Sequence, residues 1–72
     1  MSVYSIIEII GTSPVSWEDA VRTVVETADK TLGDLRVAEV QRLDMRIEEG
    51  KVAQYRVKVK LSFKWLESIY IE

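Results

Sequence analysis

Among its 72 residues the chain has neither cysteine nor histidine. Without cysteine no disulfide can brace the fold, and an intracellular setting is permitted. Without either residue, zinc, haem and iron–sulfur ligation are disfavoured, because those groups take thiolate or imidazole ligands. The commonest general base and the best nucleophile are also missing, which argues against an enzyme. No GxGxxG, P-loop or EF-hand sequence occurs, and the serines fall where turns and caps use them. No apolar run approaches the ~20 residues of a membrane span. The N-terminus lacks the basic, apolar and small-residue order of a secretory leader. Charge of one sign is absent too: ten basic and twelve acidic side chains are interspersed, for a net charge of −2. That balance gives no broad attraction to nucleic acid or acidic lipid. The expectation is a soluble, cytoplasmic protein with no nucleic-acid or membrane partner.

What is present is a small, strongly patterned chain. Residues 1–72 read as one domain near the lower limit for independent folding. Ordering each residue costs roughly 1–2 kcal/mol of backbone entropy, which one helix on one sheet offsets only narrowly. With disulfides excluded and metal staples disfavoured, oligomerisation is the remedy left open.

A first strand runs from Val3 to Ser13. Its alternation sends Tyr4, Ile6, Glu8 and Ile10 to one face and Val3, Ser5, Ile7 and Ile9 to the other. Both faces are largely apolar, so both need cover, one from the chain's own helix and one from elsewhere. Gly11 permits a sharp turn into Thr12-Ser13-Pro14. Ser16-Trp17-Glu18-Asp19 has the capping-box form, with Ser16 as N-cap and Asp19 able to reach back. Trp17, Ala20, Val21, Val24, Val25, Ala28 and Leu32 then follow the helical template, and this stripe reads as core packing. Gly33 suits the position just past the helix end.

Two long runs from Val37 to Trp65 surround a turn at Glu48-Glu49-Gly50-Lys51, where Gly50 supplies positive φ. In the second strand the apolar phase changes, from Ala38 and Val40 to Leu43, Met45 and Ile47. A one-residue bulge near Gln41-Arg42 reconciles the two. The third strand alternates cleanly, with Ala53, Tyr55, Val57, Val59, Leu61, Phe63 and Trp65 on one face. Arg56, Lys58, Lys60 and Lys64 share the other. Aromatics for base stacking would have to stand among those cations, and they lie on the opposite face. The basic series therefore reads as a sheet surface paired with Asp44, Glu48 and Glu39, or with a neighbouring subunit. The last five residues, Ser68 to Glu72, are more apolar than a free end requires, and docking on a neighbour and fraying both remain open.

The order strand, helix, long strand, long strand gives an α+β fold: β-α-β-β, one antiparallel three-stranded sheet wrapped on one helix. Ile-Glu-Ile-Ile-Gly-Thr-Ser-Pro, the helix after it, Val37-Ala38-Glu39-Val40 and Tyr55 to Phe63 closely resemble the dodecins. These are small proteins that assemble as hollow twelve-subunit shells, many of them binding flavin. The resemblance implies a dodecin-like homo-dodecamer.

In flavin-binding dodecins a tryptophan early in the second strand stacks on the isoalloxazine ring. A glutamine after the tyrosine of the third strand hydrogen-bonds the ring's polar edge. Those ligand-binding positions fall here on Val37 and Arg56, and neither residue matches. Valine has no π face, so the largest stacking contribution is lost. The opening Met-Ser-Val-Tyr, Gly-Thr-Ser-Pro-x-Ser-Trp-Glu, Arg36-Val37-Ala38 and Tyr55-Arg56-x-Lys58 resemble instead the calcium-dodecin branch. That resemblance implies a non-enzymatic shell that stores or buffers a small ligand or ion, calcium ahead of flavin. A flavin dodecin with an altered pocket and a purely structural assembly are the alternatives. Calcium takes six to eight oxygens, more than so small a subunit readily offers, so symmetry copies would have to converge. Glu8 and Asp44 are the candidate metal ligands, and pairing of each with a nearby base is the competing expectation.

Overall fold

The computed structural model describes residues 3–64. Four elements follow in order: β1 (Tyr4–Ser13), α1 (Trp17–Leu32), β2 (Leu35–Glu48) and β3 (Lys51–Lys64). They form one three-stranded antiparallel sheet in the order β1-β3-β2, with the last strand inserted between the other two. The β-α-β-β arrangement expected from the sequence is the one observed. The second strand begins at Leu35, two residues earlier than the sequence pattern suggests.

The core is built from small helix residues against branched strand residues. Ala20, Val24 and Ala28 of α1 meet Val57, Val59 and Leu61 of β3, all buried. Ile7, Ile9, Trp17, Val21, Val25 and Leu35 pack around them. The two alanines let the helix lie close to the sheet, and Gly11 extends that closeness to β1. A Cβ added at Gly11 would stand 2.2 Å from Val24 Cγ2 and 3.2 Å from the Ala20 carbonyl oxygen. Gly11 therefore does not turn the chain, as its sequence context suggests; it sits inside β1 opposite Val57 and makes room for the helix.

The ends of α1 are secured by side chains. Ser16 Oγ accepts from Asp19 N at 3.0 Å, as the capping reading requires. Asp19 does not complete the box. Its carboxylate accepts instead from buried Ser13 Oγ at 2.7 Å, and Ser13 Oγ in turn accepts from Val15 N and Ser16 N at 2.9 and 3.4 Å. One hydroxyl thus uses its donor and both acceptor sites, and locks the β1–α1 turn. At the far end Gly33, with φ of 66°, donates to Asp29 O at 3.0 Å.

The register of β2 on β3 slips three times: at Arg36, at Gln41, and on the β3 side at Ala53. The Gln41 slip is the bulge that the change of apolar phase requires. Both central residues of the hairpin turn have positive φ, Glu49 at 51° and Gly50 at 75°, the type I′ form that suits a two-residue connection. The sequence pointed to Gly50 alone.

Much apolar surface is left uncovered. On the outer face, Ile6 and Val37 are each 56 % exposed. Val40, Leu43, Met45, Ile47 and Val52 are exposed along the β2–β3 ribbon. The two-sided apolar character of β1 is accordingly met by the helix on one side only. Gly11→Ala should lower the thermal unfolding midpoint, reflecting a loss of about 1–3 kcal/mol from overpacking, whereas Gly33→Ala, with open space around it, should show only the cost of its positive φ. Equal midpoints for Gly11→Ala and the parent would contradict the close-approach role.

Candidate functional site

Residues directly opposite in an antiparallel ladder project to the same face. The pairings therefore set out the outer face in rows across β1, β3 and β2: Ile6–Ser62–Val37, Glu8–Lys60–Glu39, Ile10–Lys58–Arg42 and Thr12–Arg56–Asp44. Of these four rows the first is neutral and the other three are charged.

Asp44 and Arg56 stand in the last of these rows. Arg56 Nε donates to Asp44 Oδ1 at 2.7 Å and Arg56 Nη2 to Oδ2 at 3.1 Å, a two-pronged clamp. Planar guanidinium and planar carboxylate match in this geometry, which also fixes direction. Arg42 Nε stands 3.8 Å from the same carboxylate. The hydrogen bond from Arg56, with added attraction from Arg56 and Arg42, holds the Asp44 carboxyl below its ordinary range, against a smaller opposing desolvation. Arg56 is correspondingly pushed up by its bond to Asp44. Nearby, Lys58 Nζ lies 3.8 Å from Glu8 Oε1, and Arg46 pairs with both Gln54 and Glu48. A shallow hollow lined by Ile10, Arg42, Asp44, Arg56 and Lys58 lies over the cluster.

The four residues singled out from sequence all lie on this face but do not converge. Val37 is opposite Ser62, and Arg56 lies six positions away along β3, ~20 Å at the usual strand rise. A ligand shorter than that separation cannot touch both positions on one copy of the chain. Glu8 and Asp44 lie on opposite edge strands, each beside a cation. Among the described residues no three carboxylates gather as a metal cluster. The pairing expected for the basic series is seen for Arg56 with Asp44; Lys58 takes Glu8 instead. The apolar final segment, Ser68 to Glu72, lies outside the described residues.

From the sequence Trp17 reads as a helix-start residue and the first of the core-packing stripe, and it does pack against the core. Its indole Nε1–H donates to the Asp44 carbonyl oxygen at 2.9 Å, and its ring meets Tyr55 edge-on with centroids 5.1 Å apart. No local signal joins positions 27 apart in sequence.

Comparison with known proteins agrees with the architecture. The Dodecin family model matches residues 3–65. The chain belongs to the dodecin family. It is 47 % identical over 64 residues to calcium dodecin from Mycobacterium tuberculosis, covering 89 % of this chain and 90 % of that protein. A crystal structure of that calcium-chelating protein, with a novel calcium-binding site, superposes with a TM-score of 0.80 at 47 % identity, over 93 % of this chain and 96 % of the other. Dodecin from Streptomyces coelicolor gives a TM-score of 0.86 at 38 % identity, over 90 % and 93 % of the two chains. No helix among the described residues of this dodecin is long and apolar enough to cross a membrane.

The depressed Asp44 carboxyl sets a direction for acid sensitivity. A group whose carboxyl titrates lower when folded contributes stability above its unfolded pKa and loses it as pH falls through the folded value. Asp44→Asn should therefore lower the thermal midpoint at neutral pH, and the gap to the parent should close as pH drops below the ordinary carboxylate range. A gap that stays constant with pH would contradict the clamp.

Proposed function

We propose that this chain is the subunit of a dodecin-type, non-enzymatic, cytoplasmic homo-dodecamer that binds and stores or buffers a small ligand or ion, calcium foremost. The observation that carries this reading is the 47 % identity with calcium dodecin over nearly the full length of both chains. The exposed apolar residues on both faces of the sheet support assembly, because a monomer this small rarely shows so much. Calcium suits a chain whose charged donors are carboxylates, and with no acidic cluster among the described residues a junction of copies is the proposed place for the site.

Asp44 and Glu8 are the proposed ion ligands. Both start from ion pairs, so calcium would have to displace Arg56 or Lys58. Flavin is less suited. Val37 offers no ring to stack on, and Arg56 already spends its guanidinium on Asp44. A purely structural shell is the second reading, and the engagement of both Asp44 oxygens by Arg56 favours it.

Light scattering at micromolar concentration should give a mass near twelve times 8.3 kDa; a stable monomer or dimer would contradict the assembly. Calorimetry on that material should show calcium binding, with magnesium weaker because it sheds its waters reluctantly. Glu8→Gln and Asp44→Asn should each weaken calcium binding about tenfold or more, ~1.4 kcal/mol. Unchanged affinity in both variants would remove the site assignment. No calcium binding at millimolar concentration would leave the structural shell as the better reading. Riboflavin titration should leave flavin fluorescence nearly unquenched, and Val37→Trp with Arg56→Gln should restore quenching; tight flavin binding by the parent would contradict the account of both positions.

A further inference from the structure

The stretch of β2 that carries Asp44 has little packed beneath it. Leu43 and Met45, on either side, are 50 % and 43 % exposed. The bulge at Gln41 interrupts the ladder just before it. Yet the Asp44 carboxylate meets Arg56 in a geometry that tolerates little displacement.

Trp17 supplies a fixed point under this rung. It is the first residue of α1, held behind the Ser16 cap and the Ser13–Asp19 lock. Its indole N–H donates to the Asp44 carbonyl oxygen at 2.9 Å. Its ring meets Tyr55 edge-on at 74°. Tyr55 precedes Arg56 on β3 and lies opposite Met45, the residue after Asp44. One side chain therefore contacts the backbone of the acid and the inner-face neighbour of the base. The charged groups themselves stand on the other side of the sheet. We propose that Trp17 is a positioning residue for the outer-face Asp44–Arg56 pair, tying the β1–α1 turn to the charged cluster. The consequence for ion capture rests on the calcium reading of Asp44; the positioning itself does not.

The test is a double-mutant cycle on the assembled protein without calcium, followed by calcium titration. Trp17→Phe keeps a ring against Tyr55 and removes the donor. Replacing Trp17 with its benzothienyl analogue keeps the full bicyclic shape, and serves if the phenylalanine variant fails to assemble. Each is combined with Asp44→Asn, Arg56→Gln carrying the same cycle from the other partner. A residue that merely packs would leave the pH dependence that Asp44 contributes to the unfolding midpoint unchanged, whereas loss of a positioning residue should flatten it. A positioning residue should give coupling of at least about threefold in the unfolding equilibrium, because residues in one network do not add. Additive losses in both cycles would overturn the proposal. Coupling without any calcium binding would uphold Trp17 and remove the calcium reading. Coupling together with weakened calcium binding in the analogue would uphold both.

Discussion

One short helix has to serve a sheet much longer than itself. The sixteen residues of α1 span ~24 Å at ~1.5 Å per residue. The fourteen-residue strands β2 and β3 span ~45 Å at ~3.3 Å per residue. The helix covers the middle of β3, where Val57, Val59 and Leu61 disappear from solvent, and the inner side of β1. It cannot reach Ile47 and Val52 near the hairpin tip, nor anything on the outer face. A chain with no disulfide to compensate is left with exposed apolar surface among its described residues, and the proposed assembly would cover it with further copies.

The outer face is organised by the same geometry. Strand pairing brings acid and base of different strands into register, so the charged rows neutralise one another rather than present a field to solvent. Asp44 and Arg56 are the tightest of these pairs, joined by two hydrogen bonds at 2.7 and 3.1 Å. An ion bound at Asp44, as proposed, would have to displace that guanidinium.

The sheet and its faces were legible because apolar residues alternate so strictly along β3, and the helix because its stripe and cap coincide. The bulge at Gln41 was legible because it moves the apolar phase from Val40 to Leu43. The slip at Ala53 was hidden, since Val52 and Ala53 are both apolar and either register reads alike. Gly11 was misread because a glycine before Thr-Ser-Pro looks like a turn; its role depends on how closely Ala20 and Val24 approach, which sequence spacing does not encode. Glu49 gave no sign of its positive φ. The candidate residues Val37, Arg56, Glu8 and Asp44 share one face only through the strand pairing and the slip at Gln41, and their distances depend on the same pairing. The indole bond from Trp17 to Asp44 exists only once helix and sheet have met.

If the subunit is completed by its neighbours, folding and assembly cannot be separated. Sedimentation and helical circular dichroism, followed through one denaturant series at several protein concentrations, read both at once. The shell should dissociate and the helix be lost in a single coincident transition that moves to higher denaturant as protein concentration rises. A dissociated chain that keeps its helix across a range of denaturant would show instead that the subunit stands without its neighbours.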